Sequence, residues 1–416
     1  MRFDARDYGG PCCCGRDHDM VTKLCVIDSG ALSHFEEYMA EAGLSGRLCA
    51  VYDTNTYAIP ALKRPKADQE IVLDAEGLHA NERAVSVVMG MIEEGTSVLV
   101  AVGTGTITDI VRYSAFEKGL PFVSVPTAAS CDAFCSNVAA MTWNGYKLTV
   151  PRKPPVLVVA DLDVISTAPW FLTASGIGDM LAKHIALADW KIAEAVAGEY
   201  LCPKIYGIMR KALDDTMTGC GTIQQGDLKA YEAVTYGLLM SGIAMQMTGT
   251  SRAASGAEHH ISHFIEMEPE ALGVHTDALH GEKVGVGTVI VSAVYHKLAQ
   301  IEDIAPYVVP YSPLADGTIM SVFGPKLFQS CKDENSKDSL AAVTQEKLIS
   351  AWPEIRKIIS GIPSSEDIYS LLGKLGAKRA LPDIGVPEDK LSLITENSAM
   401  VRNRLTLMRM RRMIKF

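Results

Sequence analysis

Short apolar runs alternate with helical stretches through residues 1–165 of this 416-residue chain. Parallel strands need long crossover connections, usually helices, so this alternation is the βαβ pattern of a parallel sheet. From Pro169 onward the runs stop and helical periodicity dominates, as in residues 185–196, 233–247 and 287–298. The sequence therefore predicts a parallel-sheet α/β part followed by an all-α part. The six predicted strands span residues 24–27, 48–52, 71–73, 98–102, 122–125 and 156–159.

The length of the chain supports two domains, because 416 residues exceed what one hydrophobic core usually organises. The change of periodicity places the boundary within residues 162–173. We predict a dinucleotide-binding α/β domain over residues 1–165 and a helical metal- and substrate-binding domain over residues 166–416. In the second domain, the polar and charged region 326–339 is predicted to be an exposed loop.

A glycine turn follows the fourth predicted strand. Residues 98–102 run into Gly103-Thr-Gly-Thr-Ile-Thr-Asp, after which apolar residues recur at helical spacing. A strand, a glycine turn and a helix form a phosphate cradle, because glycine allows close approach and the helix N–H groups face the anion. Thr108 stands where a third glycine would complete the dinucleotide fingerprint. The position of the turn, between strand and helix, therefore carries the prediction of a Rossmann-like domain.

Polar side chains follow two other predicted strands. Asp53 follows strand 48–52, where a carboxylate could accept a hydrogen bond from a ribose hydroxyl and favour NAD over NADP. Capping of a loop is an equally open role for Asp53. The run from Thr127 to Asp132 follows strand 122–125 with hydroxyls, small residues and one carboxylate. Open parallel sheets bind ligands at this edge, so both segments are candidate parts of a binding crevice.

Five of the ten histidines lie within residues 259–280. His259 and His263 are four residues apart and would project from one face of a helix. His280 precedes Gly281, where a tight backbone could bring a third imidazole close. Neutral imidazole is the commonest protein ligand for zinc-like metals, so the cluster predicts a metal site; the alternative is a set of hydrogen-bonded helix histidines. The other two members are His260 and His275.

A carboxylate suited to such a site lies upstream, in the segment 173–184. Ser175 and Gly176 are predicted to end a loop, and Gly178 to begin a helix whose first turn holds Asp179. The alternative role of Asp179 is a helix cap. With the histidines, it would give an Asp/His/His set, and three protein ligands leave a coordination position for substrate. The predicted metal is therefore catalytic.

These motifs resemble the superfamily shared by iron-containing alcohol dehydrogenases, glycerol dehydrogenase and dehydroquinate synthase, and within it the sn-glycerol-1-phosphate dehydrogenase branch. The form Gly-x-Glu-His-x-x-x-His at residues 256–263 is the motif most specific to that branch. The resemblance implies Asp179, His259 and His280 as metal ligands, with Asp132, Asp179 and His263 contacting the substrate and Asp132 and His263 acting in catalysis. It implies a dinucleotide lined by Gly103, Gly105, Thr106, Ile107, Thr108, Asp109, Thr127, Ala128, Ala129, Ser130 and Ser136, besides Asp53.

The resemblance also implies a fold and an activity. The fold is dehydroquinate synthase-like, with metal and NAD in the cleft between the domains. The activity is reversible, metal-dependent reduction of dihydroxyacetone phosphate to sn-glycerol 1-phosphate by NADH or NADPH, for glycerophospholipid backbones. Glycerol dehydrogenase and a non-redox carbocycle synthase remain alternatives, and a glycerol dehydrogenase alignment would put His260 rather than His259 on the metal. Zinc, nickel and iron all accept the ligand set. A homo-oligomer, dimeric or larger, is expected.

Composition excludes other classes of function. The net charge of −10, without a basic stripe, argues against nucleic-acid binding. No apolar run reaches about 18 residues, so no membrane insertion is expected. The first residues carry acids and lack an apolar core, which predicts no signal peptide and a cytoplasmic protein. The basic run 402–415 carries apolar residues at helical spacing and predicts a packed terminal helix.

The chain has ten cysteines, three of them adjacent: Cys12, Cys13 and Cys14, with His18 nearby. Adjacent cysteines do not easily converge on one tetrahedral metal, and no CxxC pair completes a zinc knuckle. Reduced, structural thiols are therefore favoured over a metal site there. Cys131 and Cys135 flank Asp132, but no feature of the sequence marks either as a nucleophile.

Overall fold

The computed structural model describes residues 1–415, which form two compact units. The first unit comprises Met1–Met180 and Pro203–Ser251, and the second comprises Leu181–Cys202 and the chain from Arg252 onward. The prediction placed one boundary within residues 162–173. The units differ from it because the helical segment that starts at Pro203 returns to the first unit and packs on its sheet and on the turn Asp132–Cys135.

The strands of the first unit are β1 Arg2–Asp4, β2 Gly10–Pro11, β3 Asp17–His18, β4 Leu24–Asp28, β5 Arg47–Asp53, β6 Gln69–Leu73, β7 Thr96–Gly103, β8 Phe122–Pro126, β9 Val138–Trp143, β10 Tyr146–Pro151 and β11 Leu157–Asp161. Seven of them form one sheet in the order β1-β4-β11-β8-β7-β5-β6. All neighbouring strands of this sheet are parallel except β1, which pairs antiparallel with β4 at one edge. Two short hairpins, β2–β3 and β9–β10, lie outside the sheet.

The central strands are buried on both faces, which explains their continuous apolar sequences. In β7, Val98, Val100 and Val102 enter one apolar cluster, whereas Leu99 and Ala101 enter the cluster on the opposite face. All six predicted strands are confirmed as β4, β5, β6, β7, β8 and β11. The hairpin β9–β10 was not predicted, because its residues are only half-buried and carry no long apolar run.

Helices complete the first unit and make up most of the second, so the predicted α/β plus all-α organisation is confirmed. No helix among residues 1–415 is both long and apolar enough to cross a membrane. The helices of the first unit are α1 Phe35–Glu41, α2 Thr54–Tyr57, α3 Glu82–Met91, α4 Gly105–Lys118, α5 Leu162–Ile165, α6 Trp170–Leu181, α8 Pro203–Gly219 and α9 Leu228–Thr248. Those of the second are α7 Lys183–Ala197, α10 Ala257–Glu266, α11 His280–Ala299, α12 Asp316–Glu334, α13 Gln345–Ile359, α14 Ser365–Lys374, α15 Leu391–Asn397 and α16 Leu407–Met410.

The predicted loop at residues 326–339 is wrong over most of its length, because α12 continues to Glu334. Its buried residues Leu327 and Cys331 are four apart and form a narrow apolar stripe. The charged residues between them hid this stripe in the sequence. The predicted packing of the terminal segment is confirmed, since Leu405, Leu407 and Met410 are buried, although α16 itself is short.

The prediction for the segment around Asp179 is also wrong in its local structure. Ser175 and Gly176 lie inside α6, and Asp179 lies in its last turn, not in a first turn. Close packing requires glycine at position 176, because a Cβ there would lie 2.0 Å from the carbonyl oxygen of Ala129. Glycine in this helix therefore permits close approach of the backbone and does not end a loop.

Candidate active site

The order of the strands reverses between β5 and β7, which makes this the topological switch point of the sheet. Asp53 ends β5 and Gly103 ends β7, so both predicted cofactor residues flank the switch point at the carboxyl edge. Ligands of open α/β sheets bind there. Asp53 also caps α2, since its Oδ1 accepts from the Thr56 N–H at 2.7 Å. The capping alternative is thus realised, and a ribose contact stays a prediction.

The predicted strand, glycine turn and helix are confirmed at β7 and α4. Thr104 precedes α4 and, within the described chain, its side chain makes no capping hydrogen bond to the first turn. The side chain of Thr104 therefore does not compete with a ligand for the N–H groups at the start of α4. A helix start of this kind suits a phosphate, because the N–H groups and the helix dipole both favour an anion.

Three side chains of the predicted cofactor segment face the interior of the unit. Ile107 is fully buried, and Thr108 donates from Oγ1 to the carbonyl oxygen of Thr104 at 3.0 Å. Asp109 accepts from Arg112 at one oxygen and from the Ala140 N–H at the other, at 3.1 Å. Burial raises the pKa of Asp109 to about 6, against the lowering effect of Arg112. Any contact of these three residues with a cofactor would therefore be made by their backbone, and that contact stays a prediction.

Gly105 gives a prediction about the cradle. A Cβ at Gly105 would lie 2.8 Å from the Sγ of Cys131, so a larger residue would disturb the protein itself besides any bound phosphate. The variant Gly105→Ala combined with Cys131→Ala removes that clash. We expect it to weaken NAD(P) binding by about tenfold or more, while Cys131→Ala alone leaves binding nearly unchanged. Fluorescence titration with NADH measures both; equal affinities would contradict the cradle.

The loop after β8 packs closely on its neighbours. The Thr127 N–H donates to the carbonyl oxygen of Gly103 at 3.2 Å, which ties the loop to the end of β7. Ser175 donates from Oγ to the carbonyl oxygen of Ser130 at 3.1 Å. Together with the approach of Gly176 to Ala129, these contacts hold residues 127–130 at the carboxyl edge of the sheet, in the position that the sequence predicted for them.

Asp132 and Asp179 are joined through a backbone hydrogen bond. The Asp132 N–H donates to Oδ2 of the buried Asp179 at 3.0 Å. Ser241 of α9 donates from Oγ to Oδ2 of Asp132 at 2.7 Å and orients that carboxylate. Burial raises the pKa of the Cys131 thiol to about 12, so it is protonated at neutral pH. The backbone of one predicted acid therefore binds the carboxylate of the other, and the neighbouring Cys131 is a thiol and not a thiolate.

Another predicted residue, Ser136, lies just beyond this turn. Its Oγ donates to the carbonyl oxygen of Val138 at 2.8 Å, and its side chain is buried. A Cβ on Gly242 would lie 2.6 Å from the carbonyl carbon of Cys135, so α9 passes against the turn at backbone distance. Ser136 is thus held in a turn that packs against α9. Its position beside the cofactor stays a prediction.

In the second unit, the structure brings together His259, His263 and His280. The ring centroids of His259 and His280 are 5.3 Å apart, and those of His263 and His280 are 5.7 Å apart. His259 and His263 come from one face of α10, as the four-residue spacing predicted, and their centroids are 6.1 Å apart. His280 is the first residue of α11, which packs against α10.

Carboxylates orient two of these imidazoles. Glu258 Oε1 lies 2.7 Å from Nδ1 of His259, and Glu266 Oε1 lies 2.7 Å from Nδ1 of His280. A carboxylate on Nδ1 holds the proton there, so the lone pair lies on Nε2 and can bind a metal. The donor set therefore fits a divalent cation. His263, Glu266 and His280 also offer ligand atoms within 4.8 Å of one another, but Glu266 already holds His280.

His260 lies in different surroundings. It is fully buried, and neither ring nitrogen has a hydrogen-bond partner among residues 1–415. Burial and the nearby guanidinium groups, chiefly Arg404 and Arg409, hold its pKa well below the usual value. The pKa of His263 is also lowered, because burial outweighs the effect of Glu266. Both imidazoles are neutral at pH 7, but only His263 shares its surroundings with His259 and His280.

Besides Glu258, which orients the adjacent His259, two residues of the site were not predicted. Glu266 orients His280 from 14 positions earlier in the chain, and Ser241 orients Asp132 from 109 positions later. The need of ligand histidines for a carboxylate partner is a signal that could have drawn attention to Glu266. No local signal marks Ser241, which reads as one small polar residue inside an apolar helix.

Comparisons with known proteins agree with the resemblance seen in the motifs. A family model described as iron-containing alcohol dehydrogenase matches residues 26–169. Glycerol-1-phosphate dehydrogenase (NAD(P)+) of Halalkalibacterium halodurans is 32% identical over 97% of this chain and 96% of its own. That of Geobacillus thermodenitrificans is 34% identical over 95% and 93%, respectively.

Solved structures show the same fold. A 1,3-propanediol oxidoreductase superposes with a TM-score of 0.60 at 17% identity, covering 94% of this chain and 95% of its own. Glycerol dehydrogenase from Schizosaccharomyces pombe gives 0.55 at 19% identity over 88% and 93%. The full-length relatives above 30% identity confirm the resemblance: the chain belongs to the glycerol-1-phosphate dehydrogenase family.

Proposed function

We propose that this protein reversibly reduces dihydroxyacetone phosphate to sn-glycerol 1-phosphate with NADH or NADPH. The observation that carries the proposal is the imidazole cluster, in which His259 and His280 each have a carboxylate on Nδ1. The full-length relatives named glycerol-1-phosphate dehydrogenase (NAD(P)+) supply the substrate class. The product would serve glycerophospholipid synthesis in the cytoplasm, and the enzyme would act as a homo-oligomer.

We assign the divalent metal to Asp179, His259 and His280. When bound, the cation would supply Lewis-acid stabilisation of charge on the substrate oxygen, and it would lower the pKa of the alcohol in the reverse direction. Glu258 and Glu266 keep the two Nε2 atoms available, since each holds a proton on Nδ1. The Asp132 N–H donates to Oδ2 of Asp179 and so fixes the orientation of that carboxylate.

The cofactor is assigned to the carboxyl edge of the sheet. The start of α4 would bind the pyrophosphate, and residues 127–130 would line the nicotinamide half, with Ser136 beside it. The tight packing of that loop against Gly176 and Ser175 supports this assignment, because a rigid wall orients the ring for hydride transfer. Asp53 would accept from the ribose through the oxygen that does not cap α2.

His263 and Asp132 are assigned to the substrate. His263 is neutral at pH 7, because burial lowers its pKa, so one ring nitrogen carries a proton and the other can accept one. It can therefore relay a proton to the substrate oxygen, donating from one nitrogen while the other accepts a replacement. Asp132 is held by Ser241 and presents a carboxylate oxygen to a substrate hydroxyl. Reduction then consumes one hydride from NAD(P)H and one proton passed by His263.

One assay tests the proposed function. We expect oxidation of sn-glycerol 1-phosphate to exceed that of glycerol and of sn-glycerol 3-phosphate by at least about a hundredfold in kcat/KM. A site built for the phosphate and one stereocentre gains several kcal/mol from each. Rates are followed as NADH or NADPH formation with each substrate and each cofactor. Preference for plain glycerol would replace the proposal by glycerol dehydrogenase, and turnover without net NAD reduction would indicate a carbocycle synthase.

A further inference from the structure

The N-terminal hairpin β2–β3 collects sulfur and imidazole ligands at one point of the first unit. Its loop is closed by the Cys12 N–H, which donates to the carbonyl oxygen of Arg16 at 2.9 Å, and by the Gly15 N–H, which donates to that of Cys12 at 2.9 Å. Gly15 has a φ of +80°, which favours glycine at this turn. The ligand atoms of Cys12, Cys14 and His18 all lie within 4.8 Å of one another.

The imidazole of His18 is oriented as a metal ligand would be. Its ring is buried, and Nδ1 lies 2.7 Å from the carbonyl oxygen of Met247, near the end of α9. A carbonyl oxygen only accepts, so the proton is on Nδ1 and the lone pair on Nε2. Nε2 lies 3.4 Å from the Sγ of Cys14. The sulfur and nitrogen ligands of a tetrahedral zinc ion are about 3.5 Å apart, given bond lengths of about 2.3 and 2.0 Å.

A further thiol, that of Cys202, directly precedes a helix whose start is anchored beside the hairpin. Lys204, in the first turn of α8, donates from Nζ to the carbonyl oxygen of Tyr8 at 2.9 Å, so the start of α8 is anchored to the chain just before the hairpin. Cys202 is buried and directly precedes Pro203, the first residue of α8. Cys13, in contrast, is exposed. Three adjacent cysteines do not easily converge on one metal ion. This difficulty does not arise here, because only the first and third of them, Cys12 and Cys14, contribute ligand atoms.

We propose that Cys12, Cys14 and His18, with Cys202 as the fourth ligand, bind a structural zinc ion. Three thiolates and one imidazole select zinc over harder cations. Four protein ligands close the coordination sphere, which distinguishes this site from the three-ligand catalytic site. Binding would release the thiol protons and fasten the hairpin to the last turn of α9, since His18 is already bonded to Met247.

Metal analysis of the full chain tests the proposal independently of catalysis. After purification and reconstitution with zinc, we expect two zinc ions per chain, one at each site. Cys14→Ser should lose one of them, and His280→Ala should lose the other. The matched control is Cys13→Ser, which alters the exposed neighbour and should keep both. If Cys14→Ser and Cys13→Ser hold the same amount of zinc, the assignment is wrong.

Substitution of cobalt for zinc gives a spectroscopic signal that does not depend on catalytic activity. Cobalt bound to thiolate has a charge-transfer absorption that cobalt bound only to carboxylate and imidazole lacks. We expect this absorption in the parent protein and in His280→Ala, and its loss in Cys14→Ser. If Cys14→Ser does not fold, His18→Cys decides the question, because a fourth thiolate should keep the metal and intensify the band. Absence of the band in the parent, or a mass lower by two hydrogens from a disulfide between Cys12 and Cys14, would overturn the proposal.

Discussion

His280→Ala should abolish tight metal binding and lower kcat/KM by about a thousandfold or more. A bound cation is worth several kcal/mol to the reaction, and about 1.4 kcal/mol corresponds to each factor of ten. His280 begins α11 and its side chain is about one-third exposed, so its removal should leave the helices packed. We expect the melting temperature measured in the presence of chelator to change little. In the parent protein, the same chelator should reproduce the loss of activity.

The chain offers a matched control in His275. It precedes His280 by five residues, is exposed, and pairs with Glu268 and Asp277 away from the cluster. His275→Ala should keep the metal and the activity within about twofold, because exposed pairs contribute little. Metal analysis distinguishes the possibilities. Full metal retention in His280→Ala would refute the ligand assignment, and loss in both variants would point to a general effect of the segment.

Glu266→Gln tests the orientation of His280. The amide can still accept at its oxygen, but it no longer carries the charge that holds the proton on Nδ1. Removal of such partners typically costs about 10- to 100-fold in metal affinity. We therefore expect Glu266→Gln to bind metal more weakly than the parent and more tightly than His280→Ala. The two variants would instead lose metal to the same extent if Glu266 were itself a ligand beside His280, in the set with His263 whose ligand atoms lie within 4.8 Å of one another.

The buried strands were predictable because each gives an uninterrupted apolar run. The βα order of these runs then fixes the parallel sheet. The spacing of His259 and His263 was likewise sufficient to place both on one face of α10. In both cases the deciding information is local in the sequence, since neighbouring residues alone set the periodicity.

Errors arose where a distant contact decides the local structure. Ser-Gly-Ile-Gly reads as a loop, yet Gly176 lies inside α6 because the carbonyl oxygen of Ala129 occupies the place of a side chain. Asp179 consequently lies at the end of that helix, held by the Asp132 N–H. The same holds for the partners of the site, Glu266 and Ser241, since tertiary packing alone pairs them with His280 and Asp132.

The histidines of α10 should give three different phenotypes when each is changed to alanine. His259→Ala should lose the metal, because the proposed ligand atom is Nε2 of His259, where the lone pair lies when Glu258 holds the proton on Nδ1. His263→Ala should keep the metal but lose rate or substrate affinity, with an altered pH profile of kcat/KM. His260→Ala should retain metal and near-normal kcat. Metal content and kinetics together separate the three outcomes.

The expected mildness of His260→Ala in catalysis follows from the geometry of the helix. Consecutive helix residues are about 100° apart, so His260 leaves the face that His259 and His263 share. Its imidazole is fully buried near Arg404 and Arg409. Truncating a buried ring leaves a cavity, so urea denaturation should show a loss of about 2 kcal/mol in the free energy of unfolding. Metal loss in His260→Ala with metal retained in His259→Ala would instead show that the glycerol dehydrogenase alignment sets the register.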